Sequence, residues 1–193
     1  MSDKQVVNLP NALTTFRIVV MPLLAILIVR DERFWATMTL SIAAFSDIID
    51  GWYARKYRQE SAFGKLMDPV ADKILLCVAV LFLVARPDDR LSPWLGTLLL
   101  TREFLITGLR AIAASSGMVL GAGQIGKMKT LLQMFGLGAV IVGDTWIIKA
   151  GWNPVPGRVM GLTLLWMSMV LSYWSMVRYL IIVYRQLTKL EKE

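Results

Sequence analysis

The chain has 193 residues, 56% of them hydrophobic and only 18% charged, with 21 Lys and Arg set against 14 Asp and Glu. An ordinary soluble domain is about 45–50% apolar and about 25% charged. This balance, with a mean hydropathy of +0.57, argues against a disordered chain, a disulfide scaffold or a typical globular enzyme and for a polytopic membrane protein.

Six apolar segments follow one another at about 12–30, 34–57, 66–85, 93–116, 126–148 and 158–184. Spans of about 20 residues, rising about 1.5 Å each, cross a hydrocarbon core of about 30 Å. The expected fold is therefore all-α, with six transmembrane helices in a single domain covering residues 1–193, preceded by a short juxtamembrane stretch at about 1–11. The connectors carry helix breakers: Arg86-Pro87-Asp88-Asp89-Arg90, Gly121-Ala122-Gly123 and Gly151-Trp152-Asn153-Pro154-Val155-Pro156-Gly157. The N-terminal residues lack the charged start, short apolar run and small-residue cleavage site of a secretory signal in order, so they are expected to be retained. Gly136, Gly138 and Gly143 are expected to permit close helix contact.

Charges interrupt these segments in a regular way. Arg17 lies in the first half of the first segment, Asp47, Asp50 and Arg55 late in the second, Asp68, Asp72 and Lys73 early in the third. Arg110 is late in the fourth, Lys127 and Lys129 open the fifth, and Arg178 and Arg185 close the sixth. With alternating spans, all of these fall on one side. The other side keeps only Arg30, Arg33, Arg86, Arg90, Lys149 and Arg158 of the 21 basic residues. Positive-inside bias makes the rich side cytoplasmic, with both termini there. Trp35, Trp94, Trp146 and Trp152 then form an outer aromatic belt. The net charge of +7 is thus distributed as in a membrane protein, and no nucleic-acid partner is expected.

The chain has no His and a lone Cys77, which excludes catalytic triads, His-based metal centres and an intrachain disulfide. Polar chemistry must rest on carboxylates, Lys, Arg and hydroxyls. Asp47 and Asp50 are three residues apart and share one helix face, and Asp68 and Asp72, four apart, share another. Two consecutive antiparallel helices can aim these four carboxylates at one point. Acids inside a span cost about 2.5–3.5 kcal/mol each on insertion scales, and four like charges repel unless a cation neutralises them. All-oxygen ligation selects Mg²⁺ or Mn²⁺, and four carboxylates suit two ions bridging a pyrophosphate. Pro69 disfavours helical geometry at Asp68, so the third helix is expected to start or kink there. The plainer reading is that the acids only pair with Arg55, Lys56, Lys65 and Lys73 at the interface.

The run Asp47-x2-Asp50-Gly51-x2-Ala54-Arg55-x8-Gly64-x3-Asp68-x3-Asp72 resembles, at every position, the signature of the CDP-alcohol phosphatidyltransferases. Residues 8–17, 102–110 and 126–130 resemble the bacterial branch of that family that makes phosphatidylglycerophosphate, and the likeness runs from about residue 8 to residue 180. The resemblance implies transfer of a phosphatidyl group from CDP-diacylglycerol to sn-glycerol 3-phosphate, with CMP leaving, at the bacterial cytoplasmic (inner) membrane among its lipids. Asp47, Asp50, Asp68 and Asp72 would hold two Mg²⁺ or Mn²⁺ ions, with Asp72 also the catalytic base. Asn11, Thr14, Arg17, Gly51, Ala54, Arg55 and Gly64 would bind CDP-diacylglycerol. A homodimer is implied as well.

An anionic acceptor needs its own cations, for which Arg110, Lys127, Lys129 and, deeper in its span, Arg102 are the candidates. Several of these residues have a second reading. Asn11 and Thr14 suit a polar helix start. Arg17 suits snorkelling to headgroups, the lysines suit attraction to anionic lipid, and Arg110 suits a buried pair with Glu103 on the same helical stripe. Other acceptors (phosphatidylglycerol, inositol phosphate or serine) fit the same chemistry. A divalent-cation channel or carrier is the alternative outside it.

Overall fold

The computed structural model describes residues 9–57, 62–88, 90–115, 124–149 and 156–190, with side-chain surroundings described for 15–46, 67, 70–88, 90–115, 128–144 and 156–185. All regular structure among them is helical: α1 (Leu9–Val29), α2 (Arg33–Tyr57), α3 (Ala62–Val84), α4 (Pro93–Ser115), α5 (Gln124–Lys149) and α6 (Gly157–Leu190). Each expected segment has become one helix.

Helix ends follow local chemistry. At the end of α1, Asp31 adopts φ 61°. The N–H of Asp31 reaches the carbonyl of Ile28 at 3.2 Å and that of Glu32 reaches Leu27 at 3.0 Å. This is the paired bonding that satisfies the last carbonyls when the following residue turns left-handed. α4 opens on Pro93, whose missing N–H costs nothing at a first helical position, while the Ser92 carbonyl accepts from Gly96 at 3.0 Å. α6 is started by its neighbour: the Arg158 N–H donates to Asp144 Oδ1 at 2.9 Å, a carboxylate at the positive end of a helix.

Of the start or kink expected at Asp68, the start is not there. The helix starts at Ala62 and continues through Pro69. Pro69 withholds one helical N–H, but the downstream face of Ala71, Leu75, Leu76, Ala79, Val80 and Leu83 is buried in the core. Burial at about 25 cal/mol per Å² over six such side chains outweighs one lost hydrogen bond.

One core runs through the bundle, from Met21, Leu24 and Ile28 of α1 to Leu137, Val140 and Ile141 of α5 and Leu165 and Met169 of α6. α5 and α6 share the most extensive contact, and α1 packs against both α2 and α3. Gly136 and Gly161 bring α5 and α6 together: a Cβ on Gly161 would meet the Val140 backbone nitrogen at 2.7 Å, and one on Gly136 would meet the Gly161 carbonyl oxygen at 3.1 Å. The outward faces are apolar too, with Trp94 80% exposed and Phe135, Val170 and Trp174 also largely open. By length and apolarity one helix among the described residues is able to cross a membrane alone, Gly157–Arg185, while Thr15–Val29 is a shorter apolar helix. α2, α3, α4 and α5 carry charges within them.

Candidate active site

The helices alternate in direction, and cross-helix bonds identify which ends meet. At one end Arg86 donates to the carbonyls of Ile28 (3.1 Å) and Val29 (3.0 Å), and Arg90 donates to that of Ile141 (3.3 Å). This joins the end of α1, and α5 just ahead of its break at Gly143, to the α3–α4 connection. Arg33, Asp88, Arg90, Val140, Gly143, Asp144 and Arg158 line a cavity of about 180 Å³ there. Asp31 receives Arg33 Nε at 3.1 Å and also Arg90, and Asp88 receives Arg90 Nε at 2.6 Å. Burial pushes the Asp31 and Asp88 carboxyls up. The arginines beside them outweigh this and hold both below the usual carboxylate range.

The opposite end carries the acids of the signature. Asp47 and Asp50 lie one turn apart in α2, and Asp68 and Asp72 one turn apart in α3. The side chains of Asp47, Asp50 and Asp68 lie outside the described residues, as do Asn11, Thr14, Gly51, Ala54, Arg55, Gly64 and Lys127 beyond their helical backbone. Asp72 is described. Its carboxylate is 48% exposed and accepts from Arg17 Nη1 at 2.6 Å, while the Arg17 side chain is 0% exposed. Arg17 therefore neither snorkels outward nor presents itself at a surface. It crosses inside the bundle from α1 to α3.

A second polar group lies between α4, α5 and α6. Glu103 accepts from Arg102 Nη1 at 2.9 Å and from Lys129 Nζ. Arg102 Nε donates to the Ser172 carbonyl at 3.2 Å, and the Ser168 hydroxyl donates to the Lys129 carbonyl at 3.2 Å. Arg102, Lys129, Ser168 and Ser172 are all buried. Glu103 thus engages two of the cations expected at an acceptor site, and its partners are Arg102 and Lys129 rather than Arg110. Arg110 instead is exposed, 5.4 Å from the Tyr179 ring centroid, with Nη2 3.5 Å from the Tyr179 hydroxyl. Ser168, Ser172 and Tyr179 stand outside every motif legible in the sequence. The only signal for the two serines is their spacing of one turn in an otherwise apolar helix.

Six helices, two of them carrying one-turn acid pairs, frame the site. The chain belongs to the CDP-alcohol phosphatidyltransferase family, whose sequence profile matches residues 7–182, and it is an enzyme. Several similar proteins carry one name, CDP-diacylglycerol–glycerol-3-phosphate 3-phosphatidyltransferase. That of Rickettsia typhi is 39% identical over 141 residues, 71% of this chain and 78% of its own. That of Bacillus subtilis is 35% identical over 150 residues, 70% and 77% of the two chains. That of Wigglesworthia glossinidia brevipalpis is 30% identical over 185 residues, 93% and 97%.

Proposed function

We propose that this chain is an integral membrane enzyme that transfers the phosphatidyl group of CDP-diacylglycerol to sn-glycerol 3-phosphate, forming phosphatidylglycerophosphate and CMP. The observation that carries the reaction is the signature's two one-turn aspartate pairs on α2 and α3, both helices packed on α1. The shared name of the relatives supports the acceptor.

Asp47, Asp50, Asp68 and Asp72 are a hard, all-oxygen donor set suited to Mg²⁺ or Mn²⁺, and the half-exposed Asp72 carboxylate is accessible to such an ion. Two bound ions would neutralise the donor pyrophosphate and stabilise the departing CMP phosphate. The chain's own groups do the rest. Arg55 pairs with pyrophosphate oxygens through its guanidinium fork. Asn11 and Thr14 of α1 contact the nucleotide, with room left by Gly51, Ala54 and Gly64. Arg110 and Lys127 draw the acceptor phosphate, beside the Glu103-held pair of Arg102 and Lys129. Asp72 takes the proton of the acceptor hydroxyl as its oxygen bonds to the phosphatidyl phosphorus and the bond to CMP breaks.

The six helices are read as six spans in one domain over residues 1–193, with the acid-bearing end and both termini cytoplasmic. The basic bias of that end and the apolar outward faces support this. A homodimer in the bacterial inner membrane completes the reading.

The test is CMP release by detergent-purified protein given CDP-diacylglycerol and Mg²⁺ with glycerol 3-phosphate, phosphatidylglycerol, inositol phosphate or serine supplied singly. Turnover with glycerol 3-phosphate alone is expected. Turnover only with another acceptor would overturn the acceptor assignment while keeping the aspartate chemistry. Silence with all four in folded protein would overturn the reaction.

A further inference from the structure

Arg17 occupies a position that its polarity forbids without compensation. Its neighbours Phe16, Ile18 and Val19 are exposed, whereas Met21, Leu24 and Ile28, at four, seven and eleven residues further on, are almost wholly buried. Arg17 thus belongs to the stripe by which the described part of α1 faces the core, and an arginine there is 0% exposed. A buried charge costs several kcal/mol unless paired. Among the described residues it pairs with a group the reaction uses: Nη1 lies 2.6 Å from Asp72 Oδ1. The acceptor of that bond is 48% exposed, immediately after the fully buried Ala71 and one turn before the buried Leu75 and Leu76. The arrangement is a donor fixed in the packed α1–α3 interface carrying a carboxylate whose other side faces out.

The geometry points to Arg17 as a positioning residue for Asp72, not a contact of the nucleotide. A side chain with no exposed surface is closed to a ligand arriving at the bundle end unless α1 and α3 part. A carboxylate offers about four lone-pair sites, so the bond from Arg17 does not by itself exhaust it, and the 48% exposed side chain keeps Asp72 within reach of the acceptor proton or an ion. The guanidinium is planar and its reach is fixed by packing, so it sets the direction of the carboxylate as well as its charge environment. Lys, a point charge on a flexible stem, preserves the charge but not the direction. This assignment rests on the proposed role of Asp72 in the phosphatidyl transfer.

The experiment compares Arg17→Lys, Arg17→Met, Asp72→Asn and the double variant Arg17→Met/Asp72→Asn with the full-length wild type in detergent and Mg²⁺. It follows CMP release and, separately, CDP binding by calorimetry. Misplacing a reacting group by about 1 Å costs about 100-fold, so Arg17→Met should lower kcat by about that factor, with the KM for CDP-diacylglycerol and the Kd for CDP within about twofold of wild type. Arg17→Lys should recover about tenfold of that loss, because charge without direction is a partial substitute. In the Asp72→Asn background, Arg17→Met should cost almost nothing further, because residues acting as a unit are not additive. A weakening of CDP binding by about tenfold or more, which is about 1.4 kcal/mol, with kcat retained would overturn the proposal in favour of nucleotide contact. Full additivity of the two substitutions would overturn it in favour of a structural role separate from Asp72. A wild type that binds CDP but turns over none of the four acceptors would instead sink the proposed function, leaving the Arg17 arms unread by turnover and decided by CDP binding alone.

Discussion

Gly143 shows how one residue shapes the end of the bundle remote from the acids. Its backbone sits at φ 66°, ψ −169°, inside α5, a region essentially reserved for glycine. A Cβ added there would also lie 2.7 Å from Arg33 Nη1. Arginine tips move readily, so backbone strain is the larger penalty, at about 1–3 kcal/mol. Gly143→Ala should therefore lower the melting temperature of the detergent-solubilised protein while leaving the KM for CDP-diacylglycerol unchanged. An unaltered melting temperature would mean that α5 straightens without cost. Asp31 makes the opposite choice at the end of α1. It accepts the left-handed conformation despite its Cβ, because a glycine there would lose the carboxylate that gathers Arg33 and Arg90. The glycines near 136–143 were legible in the sequence as a group. Their division of labour was not: Gly136 meets α6, Gly138 has only Thr37 Cγ2 at 4.0 Å, and Gly143 turns the chain.

Among the elements, the connection between α3 and α4 acts as a tie. Arg86 and Arg90 cap carbonyls of α1 and α5 and bridge Asp31 and Asp88. Both carboxyls have folded-state pKa values below their ordinary ones. Their stabilising effect is present above the unfolded value of about 4 and is lost as pH falls through the lower folded value. Both acids are more than a third exposed, so solvent screening keeps the effect small. Unfolding followed from pH 6 to pH 3 should show a shallower loss of melting temperature in Asp31→Asn and Asp88→Asn than in wild type. Identical slopes would show that the tie contributes nothing. The sequence marked these arginines only as the sparse basic residues of one side. Their partners depend on how four helix ends are stacked, which hydropathy does not encode.

At the scale of the whole molecule, apolar residues line both the core and the outside. Water would penalise that outer surface, and lipid tails do not. The proposed orientation is testable through the lone Cys77. In a Cys77→Ser background, a membrane-impermeant maleimide applied to intact spheroplasts should modify Ser92→Cys in the α3–α4 connection and spare Glu193→Cys until the cells are opened. The reverse pattern would invert the topology and place the aspartates outside.

Helix number, approximate ends and the spacing of the aspartate pairs were determined by the sequence alone. They depend on local periodicity and on breakers such as Pro87, and local interactions persist whatever the helix packs against. Which groups meet was decided by tertiary structure. Glu103 shares a helical stripe with Arg110 yet bonds Arg102 and Lys129, and Arg17 turns from the expected nucleotide pocket to Asp72. Such pairings depend on the rotation and axial stagger of each helix against its neighbours. Those are set jointly by close contacts such as Gly136 against Gly161 and by the filling of one shared core, so no single segment contains them.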